Sequence, residues 1–270
     1  MSRIARTLII SALFIAYGYD TATAQNDTNS NPLLSTTGPN VLPKGGIQWN
    51  NNLEYYYLGM SIGEDYPKVN LNSFGANTGL RFGIGSQSEL NLDIKGAYNT
   101  FDTTYFHNTT GFIPSVGVKL LLFEGKGWLP QIAFFTNVAM PMRQNAYNSN
   151  WSYLVQPEIG LQFRNTVGAN SVFDYSLGYS WNSLGSALSD PNGLLQYSLY
   201  YRRLVNDRQT FGVGIDNVNS AHRMAGFLEG RWQTTDKLQL IGKFGCAFGI
   251  GNDGFAGAVM GLFGIRWILK

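Results

Sequence analysis

Polar and apolar residues alternate one by one along this chain, run after run, from residue 45 to the end. Successive side chains of a strand point to opposite faces, so such alternation marks strands with one apolar and one polar side. Residues 89–99 show it most cleanly: Leu90, Leu92, Ile94 and Tyr98 fall on one face, and Glu89, Asn91, Asp93, Lys95 and Asn99 on the other. Residues 74–84, 151–164 and 254–269 repeat it. A helix would show period 3.6, and no stretch does.

Twelve strands are expected, near 46–58, 70–84, 88–99, 111–123, 129–140, 151–165, 171–182, 194–205, 209–216, 223–233, 237–250 and 254–269. Most span about 10–15 residues. Soluble strands run about 5–6, and strands that cross a bilayer need about 9–11. Length and period together point to an all-β fold, a transmembrane antiparallel up-and-down β-barrel of about 12 strands, over residues 45–270. With the N-terminus on the periplasmic side, turns after even-numbered strands should be short and loops after odd-numbered ones long. The sequence fits at all connections but one: Gly85-Ser86-Gln87, Asn206-Asp207-Arg208 and Thr234-Thr235-Asp236 punctuate one side, and 59–69, 100–110, 141–150 and 183–193 the other, while the last loop, near Asn252-Asp253, is short. Pro157 falls inside a strand, where it removes a ladder bond, and is read as the mark of a bulge.

Composition narrows the alternatives. Only 13% of residues are charged, against about 25% in ordinary soluble domains. Aromatics make up 14% and Gly 32 residues, which disfavours both a helical bundle and disorder. The single Cys246 rules out a disulfide framework and falls on the lipid-facing parity. A net charge of +2 gives no signal for nucleic acid.

Residues 1–24 read as a secretory signal peptide. Arg3 and Arg6 form its positive region, Leu8 to Ala16 its apolar core, and Ala22-Thr23-Ala24 its cleavage site. Residues 25–44, rich in Asn, Thr, Ser and Pro, read as an irregular periplasmic segment and a potential plug. The expected location is therefore the bacterial outer membrane, reached by export and cleavage. Outer-membrane lipids, a small-molecule solute and the barrel-assembly machinery are the expected partners.

Parity also sorts the barrel's two faces. In a bilayer the outward face must be apolar, while the lumen can be polar. Arg81, Glu89, Asp93, Lys95, Lys119, Glu158, Arg164, Arg202, Asp216, Glu229, Arg231, Lys243 and Arg266 fall on the inward parity. Two readings stay open: a bracing network of opposed charges, or a polar pathway with a selectivity constriction. Trp49, Tyr55, Tyr56, Tyr57, Tyr98, Trp128, Trp151, Tyr153, Trp232 and Trp267, among others, are read as interfacial girdles. No catalytic or metal constellation is found. His107 and His222 have no triad or ligand partners at suitable spacing, so no enzyme and no cofactor are expected.

Several stretches resemble the outer-membrane transporter family named for the MetA pathway of phenol degradation. They are Leu42-Pro43-Lys44-Gly45 followed by Gln48 and Glu54, Leu80-Arg81-Phe82-Gly83-Ile84 with Glu89-Leu90, Gly117-Val118-Lys119 with Pro130 and Met140-Pro141, and Leu238-Gln239-Leu240 with Gly245. The resemblance implies a barrel passing small, aromatic or apolar compounds. The functional expectation is a channel or transporter with passive passage through a charged lumen. The alternatives are a closed structural or loop-binding barrel and, more remotely, a barrel lipid enzyme.

Overall fold

Alternation over twelve long segments is realised as one closed antiparallel sheet. The computed structural model describes residues 38–61, 68–103, 106–125, 128–145, 150–153, 155–167, 170–181, 194–217, 223–249 and 255–269. The expected signal peptide, residues 25–37 and His222 lie outside them.

The strands are β1 (Ile47–Ser61), β2 (Lys68–Gly83), β3 (Ser88–Phe101), β4 (Thr109–Phe123), β5 (Gln131–Ala139), β6 (Met142–Gln144), β7 (Trp151–Tyr153), β8 (Gln156–Val167), β9 (Ser171–Ser180), β10 (Leu194–Asn206), β11 (Gln209–Asn217), β12 (Arg223–Thr235), β13 (Leu238–Gly249) and β14 (Phe255–Ile268). Each stave pairs antiparallel with the next, and β14 pairs with β1 along nearly its whole length, which closes the cylinder. β5 and β6 form one stave and β7 and β8 another, so fourteen segments make 14 − 2 = 12 staves.

Two details differ from the sequence-based expectation. Residues 142–144, expected in a loop, form β6. Pro157 marks no bulge, because β5 and β8 keep a one-to-one register through Val138↔Pro157 and Asn137↔Glu158. The irregularity there consists of missing bonds. Pro114, Pro141 and Pro157 lie within three register positions of one another on adjacent staves, and none can donate to the ladder. Met140 N donates to Pro114 O (2.9 Å) and Trp181 N to Pro157 O (3.0 Å), and neither proline returns the bond.

The outer surface is apolar. Leu53, Ile94, Leu177, Leu228 and Phe244, each more than half exposed, form its middle band. Trp49, Trp232 and Trp267 ring the end with short turns, and Tyr55, Tyr57, Tyr98, Trp151 and Tyr153 the end with long loops. The girdle rings keep polar handles: Trp49 Nε1 donates to Thr78 Oγ1 (2.9 Å) and Tyr55 OH to Asn72 Oδ1 (2.7 Å). Tyr56, expected in the girdle, points into the barrel and is buried, because its even parity on β1 puts it on the lumen side. Cys246 is exposed on the outer face.

Candidate lumen site

Inside the barrel the chemistry changes with depth. At the long-loop end the interior is filled by an apolar cluster that includes Tyr56, Leu58, Leu71, Phe227, Ala258 and Met260, with Phe106 and Ile113 on the opposite wall. Toward the short-turn end the same inward parity carries charge. Of the thirteen charged residues expected on that parity, twelve are buried, and Asp93 is half-buried. Sequence reasoning missed Asp174 on β9 and Glu54 on β1. Asp174 is buried, and Glu54 is 13% exposed.

The buried charges are joined into networks. Asp174 accepts two bonds from Arg164, from Nε at 2.6 Å and Nη2 at 3.0 Å, and a third from Arg202 at 2.6 Å. Arg202 Nε then reaches Glu229 at 2.9 Å, and Arg231 pairs with the same Glu229 at 2.6 Å. This chain of five groups crosses β11, where Gly212 lies between Arg202 and Glu229 in the register and bears no side chain to part them. Lys95 likewise reaches Glu54 at 2.8 Å beside Gly75 of the intervening β2. Arg81 pairs with Glu89, which also faces Lys119 at 3.3 Å. Arg266 takes neutral partners, Gln239 at 2.6 Å and Asn50 at 3.2 Å. Glu158 faces Asn137 and Ser180 and has no ion-pair partner among the described residues.

Where the charged and apolar layers meet, Lys243 Nζ donates to Tyr200 OH at 2.6 Å and lies 3.3 Å from Asp216. Tyr200 donates in turn to Asp216. The ammonium also sits 3.9 Å from the centre of the Phe227 ring, a cation–π contact. A small cavity of about 20 Å³ opens here between Glu54, Tyr56, Phe227, Lys243 and Met260, room for about one water.

Tyr200 lies flat on Gly214, so that a Cβ there would overlap its ring. Gly214→Ala is expected to swing Tyr200 away from Asp216 and Lys243. Overpacking of this kind costs about 1–3 kcal/mol. Gly226→Ala, with nothing within 4 Å of the new Cβ, should stay within about 0.5 kcal/mol. Urea unfolding of the two variants checks the contrast, and equal losses would contradict this placement of Tyr200.

Charge is segregated along the axis. Within four residues of the short-turn strand ends lie Arg81, Lys119, Arg164, Arg202, Arg231 and Arg266 against Glu89 and Asp174, 6 − 2 = +4. Farther in lie Lys95, Arg143 and Lys243 against Glu54, Asp93, Glu158, Asp216 and Glu229, 3 − 5 = −2.

The N-terminal segment covers the positive end. Residues 38–42 are all buried, and Leu42 N donates to Glu89 Oε2 at 3.0 Å. Lys119 Nζ donates to Gly38 O at 3.4 Å, and the Arg164 guanidinium packs against Gly38. The strap thus runs across the mouth from Arg164 and Lys119 to the β2–β3 hairpin. It leaves by a turn, Gly46 N to Pro43 O at 2.8 Å, which places Gly45 at φ +78°, a region glycine enters without strain.

His107 is exposed in the β3–β4 connection, away from these networks. No group of three or more His, Cys, Asp or Glu suited to a metal occurs among the described residues.

No family model and no curated protein matches the chain, the MetA-pathway family included. Solved structures do match it. The COG4313 outer membrane channel from Pseudomonas putida F1 has a TM-score of 0.66 at 11% identity, covering 85% of this chain and 97% of that one. The Ralstonia pickettii toluene transporter TbuX has a TM-score of 0.51 at 7% identity, covering 93% and 96%. The translocator domain of the autotransporter NalP from Neisseria meningitidis has a TM-score of 0.50 at 11% identity, covering 97% and 96%. At these identities the likeness is one of fold: the chain is a closed antiparallel β-barrel of the outer-membrane kind.

Proposed function

We propose that this protein is an outer-membrane channel for small solutes, apolar aromatic compounds among them. The observation that carries the reading is the layered interior, apolar toward the long loops and charged toward the short turns. A neutral barrel brace would need no such gradient. An apolar solute leaving water gains on reaching Tyr56, Phe227 and Met260, at about 25 cal/mol per Å² buried. The charged layer below then keeps the solute from resting there, as passage requires favourable entry and ready exit. The fold likeness to a channel and to a toluene transporter supports the reading. So does the position of the buried charges on the lumen side, where they would form the constriction. Passage would be passive, driven by the solute gradient.

A second reading, a closed bracing barrel, has its own observation: the ion-pair chain from Arg164 to Arg231 and the strap leave little open space. Vesicles carrying the folded protein separate the two. Channel activity predicts swelling in small neutral aromatic solutes well above that of empty vesicles. Swelling no faster than in empty vesicles, with the protein shown folded by its heat-dependent gel mobility, would favour the brace.

A further inference from the structure

The axial charge pattern bears on which solutes a channel of this kind takes, and the inference rests on the protein being a channel. A neutral hydrocarbon is served by the apolar layer alone. It gains nothing from a buried zone in which six cations face three carboxylates, Glu89, Asp174 and the Glu229 that Arg202 and Arg231 share. Cations kept from water in such excess favour an anion, because the low local dielectric strengthens every ionic contact. Three of the carboxylates farther in are already tied to cations. Glu54 is tied to Lys95, Asp216 to Lys243, and Glu229 to two guanidiniums. An anion moving from the long-loop end therefore meets its largest excess of cations at the short-turn end.

At the bottom of that gradient stand Arg81, Lys119 and Arg164, each at most 2% exposed. Lys119 already faces the Glu89 carboxylate at 3.3 Å, and what the described strap adds is a neutral oxygen, the Gly38 carbonyl, at the long distance of 3.4 Å. A carboxylate would supply a full charge at the same place, and charge-assisted bonds are roughly twice as strong as neutral ones. We propose that Lys119 and Arg164, with Arg81, form a carboxylate-binding gate at the periplasmic mouth. The strap's Gly38 carbonyl holds the gate shut, and small aromatic carboxylates open it by taking that carbonyl's place. The ring of such a solute suits the apolar layer above, and its carboxylate suits the belt below.

The test is calorimetric titration of the detergent-folded protein with sodium benzoate and with benzamide, its neutral isostere. Benzoate should bind at least tenfold more tightly, and the difference should shrink as salt shortens the screening length to about 3 Å at 1 M. A Cβ on Gly83 would overlap the Pro43 carbonyl and so push the strap out without touching a charge. Gly83→Ala should therefore tighten benzoate several-fold and leave benzamide unchanged. Arg164→Gln should erase the preference, and Lys119→Gln serves if that variant fails to fold. Equal binding of the two ligands, no binding to a folded barrel, or a Gly83→Ala affinity equal to the parent's would each overturn the gate. None of these results touches the channel reading, which stands or falls on vesicle swelling.

Discussion

Replacing Glu229 by Leu will destabilise the folded barrel by about 3–5 kcal/mol, the cost of breaking a buried ion pair from one side. Glu229 is 6% exposed and accepts from both Arg202 and Arg231. Arg202 keeps Asp174 at 2.6 Å, but Asp174 already serves Arg164, so two guanidiniums would share that carboxylate and Arg231 would lose its bond to Glu229. Urea unfolding in detergent or lipid reads the loss directly. A companion variant sharpens the point: Arg202→Met, Glu229→Leu and Arg231→Met together remove the charges with the bonds. Apolar replacement of a whole buried network is often neutral or stabilising, so the triple variant should recover most of the loss. A Glu229→Leu loss below about 1 kcal/mol, the range of a solvent-exposed pair, would mean that water reaches these groups freely.

The second large effect lies on the other face. Leu228 is 52% exposed near the middle of β12, next in sequence to the buried Glu229. Val205 is 65% exposed one residue from the short-turn end of β10, two residues from the exposed Arg203. If lipid covers this surface, Leu228→Arg should cost about 2–4 kcal/mol and Val205→Arg only about 0–1 kcal/mol, because the penalty for a cation falls from midplane to interface. Unfolding in lipid vesicles measures both. Equal costs at the two depths would contradict a membrane-spanning orientation, since Leu228 and Val205 differ in little else than depth.

Much of this architecture can be read from alternation alone, and the reason is physical. In a closed barrel every residue faces either lipid or lumen, so period 2 is enforced along each stave and each strand declares its own boundaries. The same rule sorts the inward charges. It also carries the signal for Asp174: Phe173, Tyr175, Leu177 and Tyr179 alternate with Asp174, Ser176 and Gly178. Glu54 is harder, because it precedes Tyr55, Tyr56 and Tyr57, a run with no alternation, of which Tyr56 alone turns inward.

What single-strand patterns cannot convey is pairing across a strand. The reach of Arg202 over Gly212 to Glu229, and of Lys95 past Gly75 to Glu54, depends on the register of three staves at once. The interruption at Met140–Pro141 is silent in the pattern because the register continues through it, so only hydrogen bonds are lost. The strap is the least legible part. Residues 38–42 carry no period, and their anchor Glu89 lies 47 residues from Leu42, so composition suggests a plug and cannot say what holds it.

That this barrel passes solutes through a layered lumen is tested most directly by electrical recording. The protein, folded in detergent and inserted into a planar lipid bilayer, should give discrete open steps in potassium chloride. A reversal potential under a salt gradient should show that current is carried preferentially by chloride, as the positive belt at the short-turn end requires. A barrel that inserts, keeps its heat-dependent gel mobility and remains electrically silent would contradict the channel and leave the bracing network as the purpose of the buried charges.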